Sequence, residues 1–278
     1  MKDNHVSTIG RPVDPDYPTN RAIGLITIAA MAAGFVYRLI LGARFLPSLG
    51  WGISAGLSVF LTWALARELD PDHDLAAFVA AAVALVGTFY WAAPMLGFAF
   101  WVLLVVRLIN HTTGRSASLL DTLGVVLVGA WLTYRGNWGV GLLTTLALAA
   151  DASLPRGKQR QWVLAGVSGV LALTAALRGD GLWPAEGIRW VPLNAAVVLA
   201  ALFVWVILDT DHMESVCDQT PDKMDPVRIR AGQILSLLIL IEYVIWRGWP
   251  SLWLMMPLTA SLVGILLLKM YQEIQARA

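Results

Sequence analysis

From residue 22 to residue 271 the chain is a succession of apolar segments, most of them long enough to cross a bilayer, separated by short polar or Gly- and Pro-containing connections. A hydrocarbon core about 30 Å thick is crossed by roughly 20 helical residues. In that solvent the backbone polar groups must be bonded within the protein, which leaves helices or a closed barrel. Segments of this length are too long for tilted barrel strands, so the sequence predicts an all-α, polytopic helical membrane protein. Composition points the same way. Hydrophobic residues make up 58% and charged residues 14%, with a mean hydropathy of +0.66, whereas a soluble domain carries about 25% charged residues.

Ten helices are expected, at 22–44, 51–67, 75–91, 94–110, 118–134, 138–152, 161–178, 190–208, 228–246 and 250–271, arranged as successive hairpins. The sixth is the weakest, because its strictly apolar stretch runs only from Val140 to Ala150. It is either a re-entrant segment or a helix that extends through Trp138 and Asp151 within protein contacts. Residues 1–20 form a polar arm without the apolar core of a signal peptide. Residues 21–278 read as one transmembrane domain. Pro257, with Thr259 and Ser261 nearby, predicts a kink in the last helix and freed carbonyls.

Basic residues set the orientation. With a cytosolic amino terminus, the arm, the even-numbered connections and the carboxyl tail hold 14 of the 20 Lys and Arg. By the positive-inside bias both termini are then cytosolic, in a plasma or inner membrane. Turns on the opposite face are short and aromatic: Phe45 to Pro47, Trp91 to Pro94, Tyr134 to Trp138 and Trp246 to Pro250. They read as an interfacial belt. The net charge of +1 argues neither for nor against nucleic acid, but no basic tract exists that could track phosphates, so no nucleic-acid partner is expected; the single cysteine, Cys217, excludes an internal disulfide.

One short phrase occurs twice, 139 residues apart: Leu69-Asp70-Pro71-Asp72-His73 and Leu208-Asp209-Thr210-Asp211-His212. Pairing the copies relates 22–74 to 161–213 as a weak parallel repeat, which disfavours a five-plus-five inverted transporter. Three of the four histidines, His73, His111 and His212, follow even-numbered helices. Acidic groups at helix carboxyl ends oppose the macrodipole. A divalent metal held by Asp70, Asp72, Asp209 and Asp211, with the three histidines as ligands or acid–base groups, would account for them. Ordinary capping accounts for similar patterns: Asp225-Pro226 reads as a helix start, and Ser118 with Asp121 as a capping box.

Two ionisable residues fall inside expected spans, Arg38 in the first and Glu242 in the ninth. Each would cost roughly 2–3 kcal/mol unpartnered at mid-membrane, so each should face protein, and the two are placed to pair. Ala29, Ala30, Ala32, Ala33 and Gly34, and Ala76, Ala77, Ala80, Ala81 and Ala82, predict close helix packing and not a wide pore. The chain holds no Walker loop, zincin motif or serine nucleophile elbow. Three functions follow. The first is a membrane enzyme, metal-assisted at the Asp-rich corners, acting on a lipid head group at the cytosolic interface. The second is a small-molecule or ion transporter switched by Arg38 and Glu242. The third is a non-catalytic subunit that docks membrane-protein partners or further copies of itself.

Overall fold

The computed structural model describes residues 7–11, 13–90, 93–135, 137–178 and 187–277. Trp91, Ala92 and Gly136, which belong to two of the aromatic turns, lie outside the described residues. Among the described residues the chain forms eleven helices and no strand. They are α1 (Pro18–Ile40), α2 (Phe45–Leu69), α3 (Asp74–Tyr90), α4 (Leu96–Asn110), α5 (Leu119–Arg135), α6 (Trp138–Ser153), α7 (Arg160–Arg178), α8 (Trp190–Asp209), α9 (Pro226–Arg247), α10 (Pro250–Leu254) and α11 (Met256–Arg277). By length and composition five of them, α1, α2, α7, α8 and α9, can cross a membrane; α3, α4 and α6 are apolar but shorter. Leu25 and Ile28 on α1, Leu173 and Leu177 on α7, and Leu202 and Leu208 on α8 are all more than half exposed. Apolar surface on that scale suits lipid and not water.

Three boundaries depart from the sequence reading. The first helix starts at Pro18, because proline is suited to the first helical position, and stops at Ile40, where Gly42 turns the chain at φ +78°. Arg38 therefore sits in the last turn of α1 and not near the middle of a span. Phe45, Leu46 and Pro47 form the first turn of α2 instead of a connection. The last helix is divided at Met255, beside Pro257, and the Leu254 carbonyl accepts from the Met95 amide at 2.9 Å. The expected kink is thus a break between α10 and α11. The sixth helix runs from Trp138 past Asp151 to Ser153, the longer of the two readings of its short apolar stretch.

Two compact units divide the chain. The first comprises the described residues of Met1–Arg11, Trp101–Val197 and Ile207–Gly248; the second those of Pro12–Phe100, Val198–Val206 and Trp249–Ala278. In the second unit α1 packs on α2, and α2, α3 and α11 pack on one another. Small residues make these approaches: Gly34 lies against Trp51, Gly52 and Gly56 face Met31, and Ala76, Ala77, Ala80 and Ala84 are wholly buried. Ser261 Oγ donates to the Thr62 carbonyl at 3.0 Å, tying α11 to α2. In the first unit α6 packs on α5, α7 and α9. There Gly129 lies against Thr144, whose hydroxyl accepts from Trp101 Nε1 at 3.1 Å. Without water exclusion between helices, this fit of small side chains against backbone is the main cohesive force.

Gly264 gives the sharpest test, since a methyl group there would run into the backbone of Ala80. Gly264→Ala should destabilise the detergent-solubilised protein by about 1–3 kcal/mol. Gly166→Ala, where the added methyl meets nothing within 4 Å, should leave the melting temperature unchanged or slightly raised. Thermal unfolding of the two variants side by side checks this.

Candidate functional site

The ends of five helices in the first unit carry a closed polar network centred on Asp151. Its residue is 0% exposed, in the last turn of α6. Asp151 Oδ1 accepts from Arg228 Nη1 at 2.9 Å and lies 2.8 Å from His111 Nε2. The histidine contact lies off the ring N–H direction, so it is a close polar contact and not an aligned hydrogen bond. Asp151 Oδ2 accepts from Gln161 Nε2 at 2.9 Å, and that nitrogen also lies 3.2 Å from Thr122 Oγ1. A buried carboxylate is tolerable only with such a set of donors.

Each partner is delivered by a helix end. Asp225 caps α9, its side chain accepting from the Val227 amide at 2.9 Å, and Pro226 occupies the first turn as the sequence predicts. Arg228 is thereby turned inward, 2% exposed, where its guanidinium also donates to the Ile109 carbonyl at 2.7 Å and, through Nε, to the Pro155 carbonyl at 2.9 Å. These are carbonyls that a helix end and a turn leave without partners, and a cation suits the carboxyl end of α4. His111 directly follows α4, with its amide on the Arg107 carbonyl at 3.2 Å. It takes φ +51°, in the left-handed region where a non-glycine residue is uncommon, and Gly114 at φ +83° completes the turn. The His111 side chain is 5% exposed, and its Nδ1 is buried without a hydrogen-bond partner among the described residues.

Two segments cover this corner. The long connection between α8 and α9 holds, at 215–224, a small β-bridged turn. Val216 bridges Lys223, the Cys217 amide donates to the Asp222 carbonyl at 2.9 Å, and the Met224 amide to the Ser215 carbonyl at 3.0 Å. Pro221 and the polar run around it oppose a helix. Met213, Cys217, Met224 and Ile229 form its apolar underside. The Asp218 and Gln219 amides dock it on the Thr112 and Thr113 carbonyls, both at 3.1 Å. Burial raises the Cys217 thiol pKa above its ordinary value.

The second cover is the arm. Ser7 Oγ and Thr8 Oγ1 donate to the Asp121 carboxylate at 2.6 and 2.7 Å, the Thr8 amide does so at 2.8 Å, and Thr113 Oγ1 donates to the Thr8 carbonyl at 2.5 Å. Asp121 also belongs to the expected capping box: its amide donates to Ser118 Oγ at 3.1 Å and the Ser118 amide returns to Oδ2 at 3.3 Å. Arg11 forms a two-pronged pair with Asp218, at 2.5 and 2.8 Å, so the arm holds the bridged turn.

The Asp-rich corners differ from each other. In the second unit Asp70 caps the end of α2, and its Oδ1 lies 2.8 Å from His73 Nδ1. That bond raises the His73 pKa against the opposing effect of burial. Arg67 pairs with Asp74, and Asp72 is half-buried. In the first unit Asp209 ends α8, Asp211 pairs with Arg230, and Asp209, Asp211 and His212 are all exposed. Local cations and a histidine thus oppose the negative charge that the helix ends disfavour. Among the described residues no three His, Cys, Asp or Glu side chains gather as a group able to hold a metal ion. Glu242 lies on α9 in the first unit, where Asn137 Nδ2 donates to its Oε1. Arg38 belongs to the second unit. An open apolar groove of about 640 Å³ between α1 and α3, lined by Ile26, Ala29, Ala33, Leu85 and Phe89 among others, offers almost no polar chemistry.

Of the expected catalytic and metal-ligating residues, His111 alone enters a buried cluster among the described residues, while Glu242 is buried separately against Asn137. Asp151, Gln161 and Arg228 escape sequence reasoning as its partners. Their one signal is that each is a polar residue in the terminal turn of an apolar helix. No family model matches the chain, and no curated protein or solved structure is similar to it.

Two outcomes follow. Asp151→Leu should lose about 3–5 kcal/mol by stranding Arg228. Asp151→Leu/Arg228→Met should recover part of that loss in denaturant unfolding, and not all of it, because the Ile109 and Pro155 carbonyls lose their donor. Cys217, 8% exposed, should react slowly with a membrane-permeant maleimide in the folded protein. Arg11→Ala should accelerate the reaction several-fold by releasing the bridged turn.

Proposed function

We propose that the protein is a multi-pass membrane enzyme that works on a lipid head group at the cytosolic interface, with His111 and Asp151 as its acid–base pair. The observation that carries this reading is the buried 2.8 Å contact between His111 Nε2 and a wholly buried carboxylate; among the described residues neither ring nitrogen has a hydrogen-bond partner, and Nδ1 faces no carboxylate. An imidazole backed by a carboxylate is the usual means of moving a proton near neutral pH. Asp151 orients the ring and stabilises the positive charge that develops when Nδ1 takes a proton from a head-group hydroxyl or an attacking water. The bridged turn at 215–224 keeps bulk water out and has to lift for a head group to enter. The cytosolic placement of this face and of both termini follows from the distribution of Lys and Arg. No step in this reading passes through a metal at Asp70, Asp72, Asp209 or Asp211.

One observation favours a second reading, a non-catalytic subunit. Arg228 is committed to backbone carbonyls as well as to Asp151, so the network also locks a corner. Reconstitution separates the two. Vesicles of phosphatidylethanolamine, phosphatidylglycerol and phosphatidic acid carrying the wild-type protein should show hydrolysis or head-group exchange of one lipid by mass spectrometry. In His111→Asn, which tolerates the left-handed backbone, that turnover should fall by 100-fold or more, in the range of about 10²–10⁴ for a lost acid–base group. Unchanged lipids with folded wild-type protein would sink the enzyme reading and leave the docking one.

A further inference from the structure

Glu242 lies outside the His111 network, one residue before the buried Tyr243 on α9, and five residues from the end of that helix at Arg247. At about 1.5 Å per residue it is roughly 7 Å inside the helix end. Its carboxyl group rests on the first turn of α6, so closely that a side chain at Gly139 would overlap its Oε1. The helix start there gives it very little. Asn137 is the N-cap of α6, and its Oδ1 accepts from the Gly139 amide at 2.9 Å, while the Val140 amide donates to the Asn137 carbonyl at 3.2 Å. Among the described residues one donor alone, Asn137 Nδ2, reaches Oε1. Oε2 is buried without a hydrogen-bond partner among the described residues.

Nearby charge is sparse. On α6, the helix packed against α9 here, the one ionisable residue is Asp151, three turns away in the last turn and already satisfied. On α9 itself Arg247 is exposed at the helix end, and on α5 Arg135 lies over the Trp131 ring at 6.0 Å. Tyr243 and the edge-to-face pair Trp138–Trp246, with ring centres 6.1 Å apart, complete the surroundings. Among the described residues this carboxylate has one neutral donor and no ion pair, a costly state in an apolar span, whereas the neutral acid leaves only a hydroxyl to satisfy.

We infer that Glu242 is a reversible proton-binding site in the membrane-embedded part of the protein, with Asn137 holding Oε1 as the carbonyl oxygen and the proton carried on Oε2. The inference rests on α9 spanning the bilayer and is independent of the chemistry assigned to His111. The proton comes from water at the membrane surface and returns there, so no further reactant is needed. Asn137 is a positioning residue that favours the ionised form and so sets how readily the proton leaves.

The test is labelling of the full-length protein in vesicles with dicyclohexylcarbodiimide, an apolar reagent that reacts with protonated carboxyl groups. The acid adds across one C=N bond, its proton passes to nitrogen, and the adduct rearranges to a stable acylurea that peptide mass spectrometry locates. Wild type should carry the adduct at Glu242 in acidic and neutral buffer, with a rate that falls about tenfold per pH unit above the midpoint. Glu242→Gln should lose that adduct and remain folded. Asn137→Asp keeps the cap acceptor but removes the donor to Oε1, so labelling should persist to higher pH. Three results would overturn the inference: no adduct at Glu242 in folded protein at any pH, labelling indifferent to pH, or protection by sodium at constant pH, which would make the ligand a metal cation. Each can occur whether or not His111→Asn abolishes lipid turnover.

Discussion

A carboxylate with no access to water imposes the strictest condition on the first unit. Asp151 cannot be buried until Arg228, Gln161 and His111 are all in reach, and these come from α9, α7 and the residue after α4. Satisfying one charge therefore fixes the ends of four helices, α6 included. Removing the carboxylate strands a cation, and removing the cation strands a carboxylate, so neither half is tolerable alone. The arrangement gives its energy less to net stability than to the choice of one arrangement among many apolar packings of similar quality. Helices that meet through lipid-like side chains slide easily; a buried ion pair with fixed donors does not.

The parts of the fold that were legible in the sequence are those governed by one-dimensional physics. Hydropathy over a span length locates all the long helices, because the solvent requirement acts on each segment separately. Caps are legible for the same reason: Asp225 and the Ser118–Asp121 box act within three residues of themselves. The start of α1 was missed because Pro18 looks like part of a polar arm until its ring is seen opening a helix. The division of the last helix was foreseen as a kink, yet the Leu254 carbonyl at the break is taken up by the Met95 amide, a partner 159 residues away in sequence that no local pattern reveals.

The candidate site was less legible, and the reason is physical. His111 stands out because an imidazole after an apolar helix is conspicuous. Asp151, Gln161 and Arg228 look like ordinary polar endings, and only tertiary structure turns three endings toward one point. The repeated Asp-x-Asp-His phrase illustrates the converse. Its two copies share residues but not surroundings: Pro71 lets Asp70 cap α2 and meet His73, while Thr210 leaves Asp209 inside α8 and His212 in solvent. A short phrase specifies local bonding only when the backbone preference of its middle residue is the same.

The covers of the first unit connect structure to access. The arm and the bridged turn are held by contacts of opposite kinds. Neutral hydroxyls and amides place Ser7 and Thr8 on Asp121 and the turn on Thr112 and Thr113, and one charged pair, Arg11–Asp218, joins arm to turn. Hydrogen bonds to a capped helix start are insensitive to salt, whereas an ion pair with its acceptor half-exposed weakens as ionic strength rises. The joint is thus the most yielding part of the assembly, and the apolar underside around Cys217 is the surface it keeps covered. On the proposed reading, a head group with its own negative charge would compete with Asp218 for Arg11, and the same guanidinium would couple the approach of an anionic lipid to the release of the turn above His111.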